Sequence, residues 1–136
     1  MKIISFWALA LSLIAFAACK KESNSRIVTT NSATLDYKEC VTYQKQDVTV
    51  CFTDANEYRC PCNAECFWAG ACDVRLKVTV AGEDSTLNLS YAADGQGVFP
   101  SVDTIGNVIF KVTGIVPTDC NDYADYAKYK VDVTVE

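Results

Sequence analysis

Among its 136 residues the chain has no histidine. That removes the commonest general base, the triads built on it, and the commonest catalytic metal ligand. It also lacks a basic cluster. Lys and Arg number 12 against 17 Asp and Glu, for a formal net charge of −5. Phosphate binding needs cations gathered on one face, so nucleic acid is not an expected partner. No carboxylates pair at a spacing suited to acid/base catalysis, and Glu57, Glu83 and Asp84 read as solvated surface groups. The chain is too short for two cores, so one domain is expected. Half of it is apolar, which excludes a disordered chain.

What is present begins with Met1-Lys2 and an apolar run, Ile3 to Ala18, broken only by Ser5 and Ser12. The run is shorter than the roughly 20 residues that span a bilayer, and it fits a signal-peptide core. It ends Phe16-Ala17-Ala18-Cys19 and turns polar at once. Small residues before a Cys resemble the lipobox of bacterial lipoproteins, with Phe16 standing where Leu or Val is usual. That resemblance implies cleavage of residues 1–18 and acylation of Cys19. Several acyl chains at about 0.8 kcal/mol per buried CH₂ make a stable anchor where one would not. Residues 19–26, rich in Ser, Asn and Lys, read as a tether. Residues 27–136 are the single folded domain. The mature chain would have 118 residues and, without Lys2, a net charge of −6. The expected address is the envelope of a Gram-negative bacterium, at the outer membrane, on its periplasmic or surface face.

Eight cysteines in an exported chain point to disulfides. With Cys19 acylated, seven remain: Cys40, Cys51, Cys60, Cys62, Cys66, Cys72 and Cys120. Seven is odd, so at least one thiol stays unpaired. Cys40–Tyr43 and Val48–Phe52 flank Gln44-Lys45-Gln46-Asp47. A tight turn there sets Cys40 across from Cys51, where a cross-strand disulfide is reasonable.

The rest of the domain alternates with period two. Val74, Leu76, Val78 and Val80 share one face, and Asp73, Arg75, Lys77 and Thr79 the other. Gly82-Glu83-Asp84 turns the chain into a return strand with Leu87, Leu89 and Tyr91 inward. Residues 27–30 and 34–37 read as edge strands, Thr53–Glu57 as a loop, and Ala92–Asp103 as an irregular crossing. Asn107–Ile115 and Tyr129–Glu136 supply two more strands, and Asp122–Lys128 fits one helical turn. The sum is an all-β antiparallel β-sandwich, Ig-like or small-barrel-like, of about seven or eight short strands.

Arg59-Cys60-Pro61 followed by Cys66-Phe67-Trp68-Ala69-Gly70 and an alternating strand resembles a family of small uncharacterised bacterial lipoproteins and secreted proteins. The resemblance covers Arg59 to about Val80 and extends loosely to Pro117 and the closing Tyr129–Val133 strand. It implies the fold and the address, without an activity. The chain departs from it at Tyr58, where Ser is usual, and in Cys62 and Cys72, which are additions. A Cys60–Cys66 bridge would contribute about 2–3 kcal/mol. Pro61 fixes φ within it. Trp68 is expected to cap one end of the core with its indole N–H on a carbonyl. Gly70 suits a turn with positive φ. Cys62 has several open partners: Cys72, Cys40, Cys51 or Cys120.

Four chemistries fit these residues. Cys60, Cys62, Cys66 and Cys72 would offer four thiolates to zinc, although exported thiols oxidise. Cys60-Pro61-Cys62 is a Cys-x-Cys dithiol of the kind that exchanges disulfides. Asp119, Asp122 and Asp125, with Asn121 among them, would offer oxygens to calcium. Tyr123, Tyr126 and Tyr129, with Tyr37 and Tyr43 elsewhere, suit a binding surface for a protein or glycan, or else the core. The expected function is therefore a lipid-anchored, non-catalytic binding module with no cofactor. A redox or metal-binding envelope accessory protein using the cysteine cluster is the alternative.

Overall fold

The computed structural model describes residues 25–136. The expected leader, Cys19 and nearly all of the tether lie outside the described residues. Nine strands form two sheets. They are β1 (Arg26–Val28), β2 (Ser32–Asp36), β3 (Cys40–Tyr43), β4 (Val48–Glu57), β5 (Ala71–Val80), β6 (Glu83–Ala92), β7 (Val102–Ile105), β8 (Val108–Val116) and β9 (Lys130–Val135). One sheet has the order β1-β3-β4-β5-β6 and the other β2-β9-β8-β7. Both are open, so the all-β expectation holds as a sandwich and not as a closed barrel.

Alternation decides which faces meet. Val41, Tyr43, Val48, Val50, Phe52, Val74, Leu76, Val78 and Leu89 project from the first sheet. Leu35, Phe110, Val112, Val131, Val133 and Val135 answer from the second, all essentially buried. Side chains two apart share a face of a strand, so one inward set fixes the register. Cys40 pairs with Cys51 and carries the expected disulfide.

Four details differ from the sequence reading. The pairing is not wholly antiparallel, because β1 runs parallel to β3. Thr53–Glu57 is not a loop. It continues β4 past a bulge between Phe52 and Asp54, because ten-residue β5 offers partners up to Cys72. The β5–β6 turn is Ala81-Gly82, both at positive φ, so Glu83 and Asp84 enter β6. The ninth strand, β7, lies at the end of the expected crossing loop, where it pairs with β8.

Candidate functional site

One end of the sandwich carries most of the residues singled out above. There β4 leads into the segment 58–70, which returns as β5. The ladder runs on past Glu57: Tyr58 N–H donates to Ala71 O, and Cys60 N–H donates to Ala69 O. Cys60–Cys66 closes the segment on itself, and Cys62–Cys120 ties it to the second sheet's approach to β9. Gly70 has φ +74°, and a Cβ there would lie 2.3 Å from Tyr58 O, so only glycine fits. Ala64 N–H donates to Pro61 O, making the loop's inner turn.

Beneath this corner sits a cluster that the sequence reading missed. Glu57, taken there for a solvated carboxylate, has a side chain only 9 % exposed. Arg59 holds it through Nε at 2.8 Å, a terminal guanidinium nitrogen at 2.5 Å and its own backbone N–H at 2.9 Å. Tyr129 Oη lies 2.6 Å from Glu57 Oε2 and 2.8 Å from Tyr123 O. Burial pushes the Glu57 carboxyl up, but the bonds from Arg59 and Tyr129 outweigh it and hold it below the usual range. The Arg59 guanidinium packs over the Tyr123 ring at 4.1 Å. Cys72 is the residue opposite Glu57 across β4 and β5. Among the described residues it is the one free thiol, fully buried, and burial with the neighbouring Glu57 charge pushes it up to about 12. The only signal for this cluster was the i, i+2 spacing of Glu57 and Arg59, which becomes meaningful once Thr53–Glu57 is seen to be strand.

Several expected sites come apart here. Cys60 and Cys62 belong to different disulfides and are not one dithiol. The four cysteines offered to zinc divide between two disulfides and a buried thiol. Cys62, Asp119 and Cys120 do lie close together, but the two sulfurs are bonded to each other. Asp119 and Asp125 cap short 3₁₀ turns at Cys120–Asp122 and Tyr126–Lys128, bonding Asn121 N–H and Ala127 N–H. Asp122 pairs with Lys128 at 2.5 Å. The three aspartates are thus used by backbone and lysine and do not converge. Tyr129 is wholly buried, Tyr123 is covered by Arg59, and Tyr126 alone of the three is exposed, at 43 %. Trp68 does not cap the core. It is 48 % exposed, beside Tyr58 with ring centroids 6.1 Å apart. The core end is already closed by Tyr129 and Cys72, so the indole is left outside.

A second arrangement lies on the outer face of the five-stranded sheet. Asp54 and Asn56 of β4, Asp73 and Arg75 of β5, and Asn88 and Ser90 of β6 are register neighbours. Asp73 is only 9 % exposed. Its Oδ1 accepts from Tyr58 Oη at 2.6 Å and from Ser90 Oγ. Ser90 Oγ in turn accepts from Phe99 N–H at 2.9 Å, and Tyr58 Oη from Val98 N–H at 3.3 Å. These bonds strap the 93–101 crossing onto the sheet. Gly97 permits the approach, since a Cβ there would fall 2.2 Å from Ser90 Cβ. The result is a pocket of about 300 Å³ lined by Asp54, Asn56, Asp73, Arg75, Asn88 and Phe99. Arg75 spans it, 3.4 Å from Asp54 Oδ2 and 3.3 Å from Asn88 Oδ1. Among the described residues, Asp73 Oδ2 and the Asn56 and Asn88 amide nitrogens have no hydrogen-bond partner.

No protein-family model, curated protein or solved structure matches the chain.

Proposed function

We propose that this chain is a lipid-anchored protein of the bacterial cell envelope that binds a glycan without turning it over. The observation that carries the reading is the pocket around Asp73. It holds a rigid acceptor, the amide nitrogens of Asn56 and Asn88, a guanidinium and an aromatic ring on a strapped loop. Vicinal hydroxyls need donors and acceptors side by side, which Asp, Asn and Arg supply. Phe99, 40 % exposed, offers an apolar face for sugar C–H groups.

Other ligand classes fit less well. Asp54 is engaged by Arg75, and a guanidinium in the lining opposes a cation. Two carboxylates oppose a free anion. The largely polar lining opposes an apolar molecule. Such open polar sites bind weakly, with Kd on the order of 1 mM for a single sugar, or about −4 kcal/mol. The export signal, the lipobox-like Cys19 and the three disulfides support the envelope address. The tyrosine surface does not carry the function, because two of its three members are used within the fold.

Titration of ¹⁵N-labelled protein with a panel of neutral monosaccharides and their short oligomers tests the reading. Amide shifts confined to Asp54, Asn56, Asp73, Arg75, Asn88 and Phe99, lost in Asn88→Ala, with the sugar recovered intact, are expected. Silence of these amides across the panel rejects it. Mass spectrometry of the membrane-extracted protein should show Cys19 acylated at the mature N-terminus; an unmodified Cys19 would reject the lipid anchor.

A further inference from the structure

Phe67 is fully exposed, at 112 % of its reference area, and Trp68 beside it is half-exposed. Phe67 is given up wholly to water, and Trp68 keeps about half its surface there beside Tyr58, both on a doubly cross-linked loop. Their position relative to the N-terminus says what covers them.

β1 is parallel to β3, and β3 is antiparallel to β4. Walking backwards from Val28 through Arg26 to Ser25 therefore heads the same way as walking forwards along β4, towards Glu57 and the cross-linked loop. Arg26 is level with Val41, and Val41 with Val50. From Val50 to Glu57 the strand rises about 20 Å at roughly 3.3 Å per residue. The ladder then continues beyond Glu57 to the Cys60–Ala69 bond, roughly 10 Å more, before the loop tip begins. The segment from Cys19 to Arg26 spans at most about 25 Å when fully extended. The described chain thus enters the domain from the loop's side, and an anchor at Cys19 has a reach shorter than the distance from Arg26 to the loop tip.

We infer that the Phe67–Trp68 end of the sandwich rests on the lipid surface, with both rings in the interfacial layer. The chemistry suits that layer. Trp sits where an apolar body and a wet N–H are both satisfied, and Phe buries an apolar ring just beneath the headgroups. The tip 61–68 carries one charge, Glu65, and the nearby guanidinium of Arg59 is buried against Glu57. The contact is therefore hydrophobic, suited to zwitterionic headgroups and insensitive to salt. The sheet face bearing the Asp73 pocket then stands roughly along the membrane normal and stays open to the side.

This inference rests on the lipid-anchor reading, and the test separates the two. The sequence has two tryptophans, Trp7 in the expected leader and Trp68. Mature protein therefore reports on Trp68 alone by intrinsic fluorescence. Protein purified from membranes is first weighed by mass spectrometry, then placed in zwitterionic phosphatidylcholine vesicles, with and without lipids brominated near the headgroup. Acylated Cys19 with a blue-shifted Trp68 emission that the brominated lipid largely quenches is the expected result. Quenching should persist in high salt. It should weaken several-fold in Phe67→Ser, a change at a fully exposed site that leaves the circular dichroism spectrum intact. Acylated protein whose emission matches that of the detergent-free soluble domain and ignores brominated lipid overturns the inference and leaves the anchor standing. Unacylated Cys19 overturns both. Quenching that persists unchanged in Phe67→Ser, or that salt abolishes, also overturns it, since the apolar seat is then not what holds the tip.

Discussion

Glu57 shows how much one side chain can change its meaning between sequence and fold. Buried against Arg59, it makes an ion pair whose removal on one side leaves an uncompensated charge. Glu57→Ala should therefore cost about 3–5 kcal/mol in urea unfolding. Its carboxyl is held below the ordinary range in the folded state. A depressed folded value means the stabilisation is complete above the unfolded carboxylate pKa of about 4.3 and is lost as pH falls through the folded one. Stability measured from neutrality downwards should thus fall below about pH 4.3, and Glu57→Gln should flatten that fall. Cys72 is raised instead, so its thiol stays protonated and inaccessible. Iodoacetamide should leave the native mature protein unmodified at pH 8 and add one group after denaturation without reductant. Rapid native labelling would contradict the buried position.

At the scale of elements, the corner 58–70 behaves as one unit held by a glycine and two disulfides. Gly70→Ala sets a Cβ against Tyr58 O in a backbone region that disfavours side chains, so the hairpin base must open. A loss of about 2–4 kcal/mol is expected from the backbone clash. The disulfides differ by loop length in the chain-entropy view. Cys62–Cys120, with a separation of 58, should contribute about 4 kcal/mol. Cys60–Cys66, with a separation of 6, should contribute about 2 kcal/mol. The double variant Cys62→Ala/Cys120→Ala should therefore unfold at lower urea than Cys60→Ala/Cys66→Ala; the reverse order would show that strain or unfolded-state structure dominates. The position of this corner follows from β4. Thr53–Glu57 reads as a loop in the sequence, yet its outward Asp54 and Asn56 side chains are the pocket's own lining.

Across the whole molecule, each sheet sends a tyrosine hydroxyl to the other. Tyr43 of the first sheet donates to Val133 O at 2.9 Å, and Tyr129, just before β9 of the second, reaches Glu57 at 2.6 Å. They sit at opposite ends, since Tyr43 pairs with Val48 at the start of β4 and Glu57 ends it. Tyr43→Phe should cost about 1–2 kcal/mol. Tyr129→Phe should cost about 1.5–3 kcal/mol, because its partner is charged. With no shared partner, the two losses should add within about 0.5 kcal/mol. Clear coupling in a double-mutant cycle would show that the layers slide as a unit.

Period-two alternation was enough, by itself, for two layers, most strand faces and the Cys40–Cys51 register. Those features are local or nearly so: they follow from side chains pointing alternately and from partners a short hairpin apart. Which thiol stays free, that Cys62 finds Cys120, that Glu57 is buried, that Tyr129 is core and Trp68 is not, and that Asp73 faces a pocket beside Phe99 were decided only when distant segments met. A residue's neighbours across sheets are set by chain closure over tens of residues, and no spacing within one strand encodes that meeting.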